Sequence, residues 1–223
     1  MHHSRQTRAQ LLLFPLLAAA ALLFLLPLTS RSQDLPSGLR VWGNIRLDAQ
    51  YYLSDSLIGA PEVPEHTGLN AWASFNMSYQ GLSMGFRYES YLPPLQGYDR
   101  DYRGHGLAHR YASYSRDNFE ITAGNFYEQF GSGLILRAYE EQDLGIDNSI
   151  DGVRVLLRPH RGISLKALTG QQRHYWDRGQ GIVRGVDAGF SLNELFPSMA
   201  ENMSRWSLGT GLVSKFQEDR NPL

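Results

Sequence analysis

The segment from Leu39 to Tyr52 alternates strictly between two kinds of side chain. One set of alternate positions is apolar or small and comprises Leu39, Val41, Gly43, Ile45, Leu47, Ala49 and Tyr51. The other set is mostly polar or charged and comprises Arg40, Trp42, Asn44, Arg46, Asp48, Gln50 and Tyr52. Because successive side chains of a strand point to opposite faces, this pattern predicts a β-strand with one apolar and one polar face.

The first residues have the pattern of an export signal. Arg5 and Arg8 form a basic start, residues 11–28 are an uncharged apolar run, and Ser30-Arg31-Ser32 places small residues before Gln33. The run is long for a signal and a membrane helix is the alternative, but Pro15 and Pro27 argue against a uniform helix. We therefore expect residues 1–32 to be a cleaved signal peptide and residues 33–223 to form one mature domain.

Composition excludes several classes of protein. The sequence has no cysteine, so it predicts no disulfide framework, no cysteine metal site and no lipid-carrying cysteine. The whole chain has 21 Lys and Arg against 22 Asp and Glu. Residues 1–32 carry Arg5, Arg8 and Arg31 and no acidic residue, so the mature part is more acidic than the whole. This balance argues against nucleic-acid binding.

Two-faced strands recur along the chain. The clearest hairpin joins 69–79 to a strand beginning at Leu82 through the turn Gln80-Gly81, where glycine supplies the positive φ. Nine strands are predicted in all, at 39–52, 69–79, 82–89, 107–115, 119–127, 153–158, 163–171, 183–192 and 206–216.

The connections between these strands alternate between short turns and long polar loops. This order is typical of an antiparallel up-and-down transmembrane β-barrel of the outer membrane, with short periplasmic turns and long extracellular loops. The connection 193–205 is longer than this rule allows, and its Glu194-Leu195-Phe196-Pro197 suggests a helical turn. Single-chain bacterial barrels have an even number of strands, so nine strands suggest the N-terminal portion of a larger barrel. A miscounted strand, closure by oligomerisation and a fold other than a barrel are the alternatives.

A glycine-rich segment, 124–133, continues into a charged stretch that ends near Asp147. Gly131-Ser132-Gly133 is not followed by the lysine of a phosphate-binding loop, so nucleotide binding is disfavoured. We expect this segment to fold into or over the lumen and to join a polar network there. The predicted network comprises Arg40, Arg46, Asp48, Arg87, Glu89, Glu128, Arg137, Glu140 and Glu141.

The sequence gives only weak support to two kinds of chemical site, a calcium site and a lipase site. The acidic residues Glu140, Glu141, Asp143, Asp147 and Asp151 supply oxygen ligands for Ca²⁺, but their spacing is not that of an EF-hand, and a solvated loop is preferred.

A barrel lipase would need a serine beside a histidine. His109 and Ser113 share a predicted strand face but lie about 13 Å apart. No cofactor, metal or catalytic residue is therefore predicted.

The run GNFYEQFGSGLILRAYEEQDLGIDNSIDGVRV, together with LKALTGQQR and GVDAGFSL, resembles a family of outer-membrane β-barrels from Bacteroidota whose function is unknown. The likeness covers most of the chain after Leu35 and is strongest from Gly124 to Val155. Family members are longer, and Ser32-Gln33 resembles a cleavage context common in that phylum. The resemblance implies an outer-membrane location and carries over no catalytic residue.

The sequence thus predicts an outer-membrane protein that contacts lipid and acts as a passive pore or transport-type barrel. The alternative is a barrel that transports nothing and serves as a scaffold for secretion, adhesion or envelope assembly, with envelope or secretion-system proteins as partners. A barrel enzyme is the third hypothesis.

Overall fold

The computed structural model describes residues 36–53, 57, 59 and 65–217. The predicted signal peptide, 1–32, lies outside these residues. The chain divides into two compact units, Met1–Ser37 and Gly38–Leu223, and the second contains all the strands described below.

In chain order the strands are β1 Arg40–Tyr51, β2 Thr67–Tyr79, β3 Leu82–Tyr91, β4 Gly104–Arg116, β5 Phe119–Phe126, β6 Glu128–Gln129, β7 Arg137–Ala138, β8 Glu140–Glu141, β9 Ile146–Asp147, β10 Ile150–His160, β11 Ile163–His174, β12 Asp177–Arg178, β13 Ile182–Ser191 and β14 Ser207–Phe216. One short helix, α1, spans Leu192–Leu195, and 3₁₀ turns occur at Arg100–Tyr102, Gln142–Leu144 and Pro197–Met199.

The long strands form one antiparallel meander. Each pairs with its neighbours in the order β1-β2-β3-β4-β5-β10-β11-β13-β14, and β12 adds a short hairpin to β11. The prediction of an all-β antiparallel fold is confirmed, and the nine long strands in the described residues lie where the alternation places them. Several begin earlier than predicted, such as β10 at Ile150, because backbone pairing continues past the last clear alternation.

The turn between β2 and β3 shows how local sequence sets register. Gln80 has φ 46° and Gly81 has φ 84°, so both central residues are left-handed, as a two-residue hairpin turn requires. β2 and β3 pair from Tyr79 opposite Leu82 to Asn70 opposite Tyr91. This unbroken register keeps the alternate side chains of both strands on common faces.

The connections alternate between the two ends of the sheet. Short turns join β2 to β3, β4 to β5 and β10 to β11, and the longer connections from β1, β3, β5 and β11 lie at the opposite end. The connection from β13 to β14 shares the short-turn end and is not short. It contains α1 and the 3₁₀ turn Pro197–Met199, and this is the helical structure that its sequence suggests.

One face of the sheet, called the outer face here, is apolar and open. It carries the apolar set of β1, with Ile45 67% and Leu47 65% exposed, and it continues through Phe86 and Leu212 at the other strands. The exposed members of this face are Val41, Ile45, Leu47, Tyr51, Phe75, Leu82, Phe86, Tyr88, Leu107, Tyr114, Phe119, Ile121, Val153, Leu157, Leu165, Ile182, Val186, Leu208, Leu212 and Phe216. An apolar surface that crosses nine strands is far larger than a soluble monomer leaves open.

The opposite, inner face carries two clusters of buried side chains. An apolar cluster there contains Phe126, Phe130, Leu136, Ala138, Ile150, Leu168 and Val183, with Val213 packed against it. An aromatic cluster toward the long-loop end contains Trp72, Tyr91 and Tyr102, with Tyr98, Tyr175 and Trp176 packed around it. Phe130, Leu136 and Ala138 come from the connection between β5 and β10, so this connection lies against the sheet.

The sheet has two free edges in the part of the chain that the structure describes. β1 pairs only with β2, and β14 pairs only with β13. The antiparallel sheet is therefore open in these residues, and the β-barrel that the sequence predicts as part of a larger one stays a prediction. None of the described helices is both long and apolar enough to cross a membrane.

Candidate functional site

The connection 127–149, called the inner segment here, is the largest structure on the inner face. It folds into two short hairpins, β6 with β7 and β8 with β9, followed by the return into β10. Gly131 and Gly133 both have positive φ, and the Gly133 amide donates to the Phe130 carbonyl at 2.8 Å. The glycines that the sequence marks as bends thus close the first hairpin.

Phe130 fixes the first hairpin to the sheet. Its side chain is 2% exposed. A Cβ placed on Gly185 of β13 would lie 2.7 Å from the Phe130 ring. The ring therefore fits there because glycine has no side chain. Ile135 lies beside Gly211 of β14 in the same way, at 3.0 Å.

The second hairpin joins a buried ion network, called the Arg87 network here, which consists of Arg87, Glu89, Glu140, Asp147 and Arg173. Arg87 of β3 binds Glu89 at 2.6 Å, Glu140 at 2.8 Å and Asp147 at 2.7 Å. Arg173 of β11 binds Glu89 at 2.7 Å and Asp147 at 2.6 Å. Two guanidinium groups therefore hold three carboxylates from both the sheet and the inner segment.

This network continues into the aromatic cluster. The Tyr91 hydroxyl donates to Glu89 at 3.1 Å, and the Trp72 indole N–H donates to the Tyr91 hydroxyl at 3.1 Å. Arg173 Nε donates to the Tyr175 carbonyl at 2.7 Å. Almost every hydrogen-bonding atom of these buried charges thus has a partner, as burial of charge requires.

A second set of ion pairs holds the start of the inner segment. Glu128 accepts from Lys166 Nζ at 2.7 Å and from Arg154 Nη1 at 3.2 Å. Arg154 also pairs with Glu120 of β5. These contacts join β5, β10, β11 and the inner segment at one place.

A third contact lies at the β1 edge and is called the Arg46 pair here. Arg46 binds Asp48 of its own strand at 2.9 Å and Asp143 of the inner segment at 2.7 Å. The Asp143 side chain is 73% exposed, so this contact is open to solvent.

The structure brings together six of the nine residues of the predicted polar network in contacts with charged partners: Arg46, Asp48, Arg87, Glu89, Glu128 and Glu140. Glu140 pairs with Arg87, one of the partners that the sequence suggests. Arg137 lies over the Tyr139 ring at 4.5 Å and has no ion pair within the described residues. Arg40 and Glu141 are exposed and likewise show no ion pair among the residues that the structure describes.

Sequence reasoning missed Arg173, Arg154 and Lys166 as members of these contacts. Arg154 and Lys166 stand in the polar rows of clear strands, and this signal could have identified them. Arg173 lies beyond the last clear alternation of β11, and only the tertiary fold shows its role. Asp147 was expected in a solvated acidic loop with Glu140, and the structure instead places both carboxylates against Arg87.

The Arg87 network has the donor set for a hard cation, but its two guanidinium groups already offset two of the three negative charges. Carboxylate oxygens of Glu89, Glu140 and Asp147 all lie within 4.8 Å of one another, and oxygen ligands suit Ca²⁺ or Mg²⁺. Arg87 and Arg173 form ion pairs with these oxygens, so two positive charges occupy the place of a divalent ion. The arrangement fits a structural ion network.

His109 and Ser113, the residues considered for a barrel lipase, contact different side chains. The His109 ring stacks on Tyr127 with centroids 5.5 Å apart. The Ser113 hydroxyl is hydrogen-bonded to the Thr122 hydroxyl at 3.0 Å. The Ser113 hydroxyl is thus held by Thr122, and the structure shows no hydrogen bond between His109 and Ser113 that would form a nucleophile and base.

A polar contact joins two of the long loops beyond the ends of β3 and β11. The Tyr175 hydroxyl donates to Asp99 at 2.6 Å. This hydrogen bond, with a second from the Asp101 amide, lowers the pKa of Asp99 below its ordinary 3.8. The same bond to the carboxylate raises the pKa of Tyr175 to about 12.

Comparison with known proteins gives the family. A search of the curated proteins finds no significant match to this chain. A family model described as a family of unknown function, DUF6029, matches residues 10–222, which is nearly the whole chain. This agrees with the resemblance to a family of unknown function, while the phylum and the barrel remain predictions. The chain belongs to the DUF6029 family.

Proposed function

We propose that the protein is an outer-membrane β-barrel of the passive-pore or transport type, whose lumen the inner segment narrows. The observation that carries this proposal is the division of the sheet into two unlike faces. Apolar side chains remain exposed on every long strand of the outer face, and the buried charges lie on the inner face. A transmembrane barrel has this arrangement, with lipid outside and a polar lumen inside.

Strand length supports insertion into a bilayer. The long strands have from 8 to 13 residues, and a tilted transmembrane strand needs about 9 to 11. Toward the long-loop end the outer face carries charged groups, and Arg110 and Arg178 bind Asp151 there at 3.4 and 2.7 Å. A polar border at this end suits the extracellular interface, where the long loops of such barrels lie.

The position of the inner segment favours a narrowed lumen over a wide channel. It covers the inner face through Phe130, the Arg87 network and Glu128. The Arg87 network has two positive and three negative groups, so the lining has mixed charge. Mixed charge suits a wet or plugged lumen and favours neither cations nor anions.

Conductance of the full-length protein in planar bilayers tests the proposal. The double variant Glu140→Gln with Asp147→Asn weakens the hold of Arg87 and Arg173 on the inner segment without removing side-chain volume. We expect small openings from the wild type and larger or more frequent openings from this variant. Glu141→Gln is the matched control, because Glu141 lies in the same segment but is exposed.

The second candidate function is a barrel that transports nothing and serves as a scaffold for secretion, adhesion or envelope assembly. The firm attachment of the inner segment favours it, since Phe130 is 2% exposed and Glu89 is 1% exposed. A closed trace at all voltages, from both the wild type and the double variant, would favour this scaffold over the pore. Envelope or secretion-system proteins would then be the expected partners.

Location has its own test. An outer-membrane barrel should fractionate with that membrane and should migrate differently on a gel before and after heating. Cleavage before Gln33 should be visible in the mass of the mature protein. Recovery of the protein from the soluble periplasm would contradict both the pore and the scaffold proposals. It would also contradict the proposed contact between the outer face and lipid.

A further inference from the structure

We propose that the two sheet edges, β1 and β14, each bind a β-strand that runs antiparallel to them. The segment that supplies these strands contributes an odd number of strands, and it is not a second copy of this sheet. The inference rests on the proposed function, because it uses the single orientation that a membrane imposes on every copy.

Both edges have the features of strands that pair. β1 has 12 residues and β14 has 10, and each keeps an unbroken register with its one neighbour. Exposed edges in folded sheets are protected by proline, bulges, short length or charge. Neither edge has a proline or a bulge, and the only charged residue of β14 is Lys215. The charged residues of β1, Arg40, Arg46 and Asp48, all lie on its inner face, which faces the polar lumen of a barrel.

Among the described residues, outer-face side chains of the two edge strands are more exposed than side chains near the centre of the sheet. Apolar residues of the outer face are 36% exposed at Ile121 and 37% exposed at Leu165, in the middle of the sheet. The corresponding exposures are 67% at Ile45 of β1 and 69% at Leu212 of β14. In lipid, the unpaired N–H and C=O groups of such edges would have no partner, at a cost of several kcal/mol each.

Strand direction decides which strands can fill the edges. Consecutive strands of the meander run in opposite directions, so its first and ninth members, β1 and β14, run in the same direction. Direct pairing of β1 with β14 would therefore be parallel. An antiparallel closure needs a segment that begins and ends with strands of the opposite direction, which means an odd number of strands.

The same reasoning excludes a second copy as the closing partner. Every copy inserted in one orientation presents two edges of the same direction, so contact between copies gives only parallel pairs. Antiparallel pairing between copies would turn one of them over, and its long loops would then lie on the other side of the membrane. Closure by oligomerisation, which the sequence left open, is thus disfavoured.

The edges also indicate the chemistry of the strands they bind. Leu47 and Leu212 on the outer face require apolar neighbours. At β14, a Cβ on Gly209 would meet only the Ala188 carbonyl oxygen, at 3.9 Å, so the inner face has room there for a bulky side chain. At β1, Trp42 is 49% exposed on the inner face and would be covered by the bound strand.

The test uses the protein in outer membranes of cells that express the full reading frame. Hydrogen exchange should be as slow for β1 and β14 as for β5, because all their amides are paired. Since the chain has no cysteine, Ala49→Cys in β1 and Ser214→Cys in β14 report contacts without background. Neither should form more disulfide dimer than the mid-sheet control Ala123→Cys, and the double variant should form no internal disulfide.

Three results would overturn the inference. Fast exchange of half the β14 amides would show an edge without a partner. A dimer from Ala49→Cys or Ser214→Cys, above the Ala123→Cys level, would show pairing between copies. An internal disulfide in the double variant would show direct parallel closure. All three can occur in a protein that resides in the outer membrane, so they are distinguishable from failure of the proposed function, which loss of that location would show.

Discussion

The Arg87 network and the Arg46 pair hold the same inner segment to the same sheet, but in opposite environments. Glu89 and Arg173 of the network are 1% and 4% exposed, whereas Asp143 of the Arg46 pair is 73% exposed. Distances do not separate the two, since both contain contacts of 2.7 Å. Burial separates the two, because solvent screens an exposed ion pair. Breaking an exposed pair therefore costs little free energy of unfolding.

The largest effect is expected for Glu89→Ala. This change leaves Arg87 and Arg173 short of a buried carboxylate, and breaking a buried ion pair costs about 3 to 5 kcal/mol. Urea unfolding of the refolded protein in detergent should show a loss of that size. Glu141→Ala in the exposed part of the inner segment is the control, and equal losses from both variants would contradict the comparison.

Phe130→Ala tests the apolar attachment of the same segment. The ring is buried against Gly185, and removing a buried phenylalanine costs roughly 3 kcal/mol or more. The free energy of unfolding should fall by about this amount, with Leu134→Ala as the control because Leu134 is 92% exposed. A negligible loss from Phe130→Ala would mean that ion pairs alone hold the segment.

Arg46→Ala should lower the free energy of unfolding only slightly, and far less than Glu89→Ala does. The guanidinium lies in an open pair, so its contacts with Asp48 and Asp143 are replaced by contacts with water. The same urea titration measures this effect. A loss comparable to that of Glu89→Ala would contradict the comparison, because it would mean that exposure does not set the strength of these contacts.

The smallest effect is expected in the long loops, at Tyr175 and Asp99. Because the pKa of Asp99 is lowered, the stability that its bond to Tyr175 contributes is present above about pH 4 and is lost as pH falls through the lowered pKa. Because the pKa of Tyr175 is raised, the contribution is also lost as pH rises toward 12.

Fluorescence of Trp176, next to Tyr175, should therefore be flat near neutral pH and change on strong acidification. The Tyr175→Phe variant should lack this change. An identical acid response in the wild type and the Tyr175→Phe variant would show that the change does not arise from the hydrogen bond between Tyr175 and Asp99.

The sequence by itself determined the nine long strands, the two faces of most of them and the order of the connections. It could do so because these are local properties: alternation fixes which face a side chain occupies, and Gln80-Gly81 or Gly131 and Gly133 fix bends within a few residues. It also placed Glu140 and Arg87 in one polar network, but it left Arg40 and Arg46 as equally open partners, and the structure shows which pair forms.

Only the tertiary structure decided the rest. Arg173 joins Glu89 across 84 residues of sequence, and the space for Phe130 comes from Gly185 on a strand that follows much later. The first contact joins two strands that are not neighbours in the sheet, and the second joins the inner segment to a strand beyond it, so no local pattern encodes either. The two open edges are a further tertiary fact, because alternation predicts a strand but not what lies beside it.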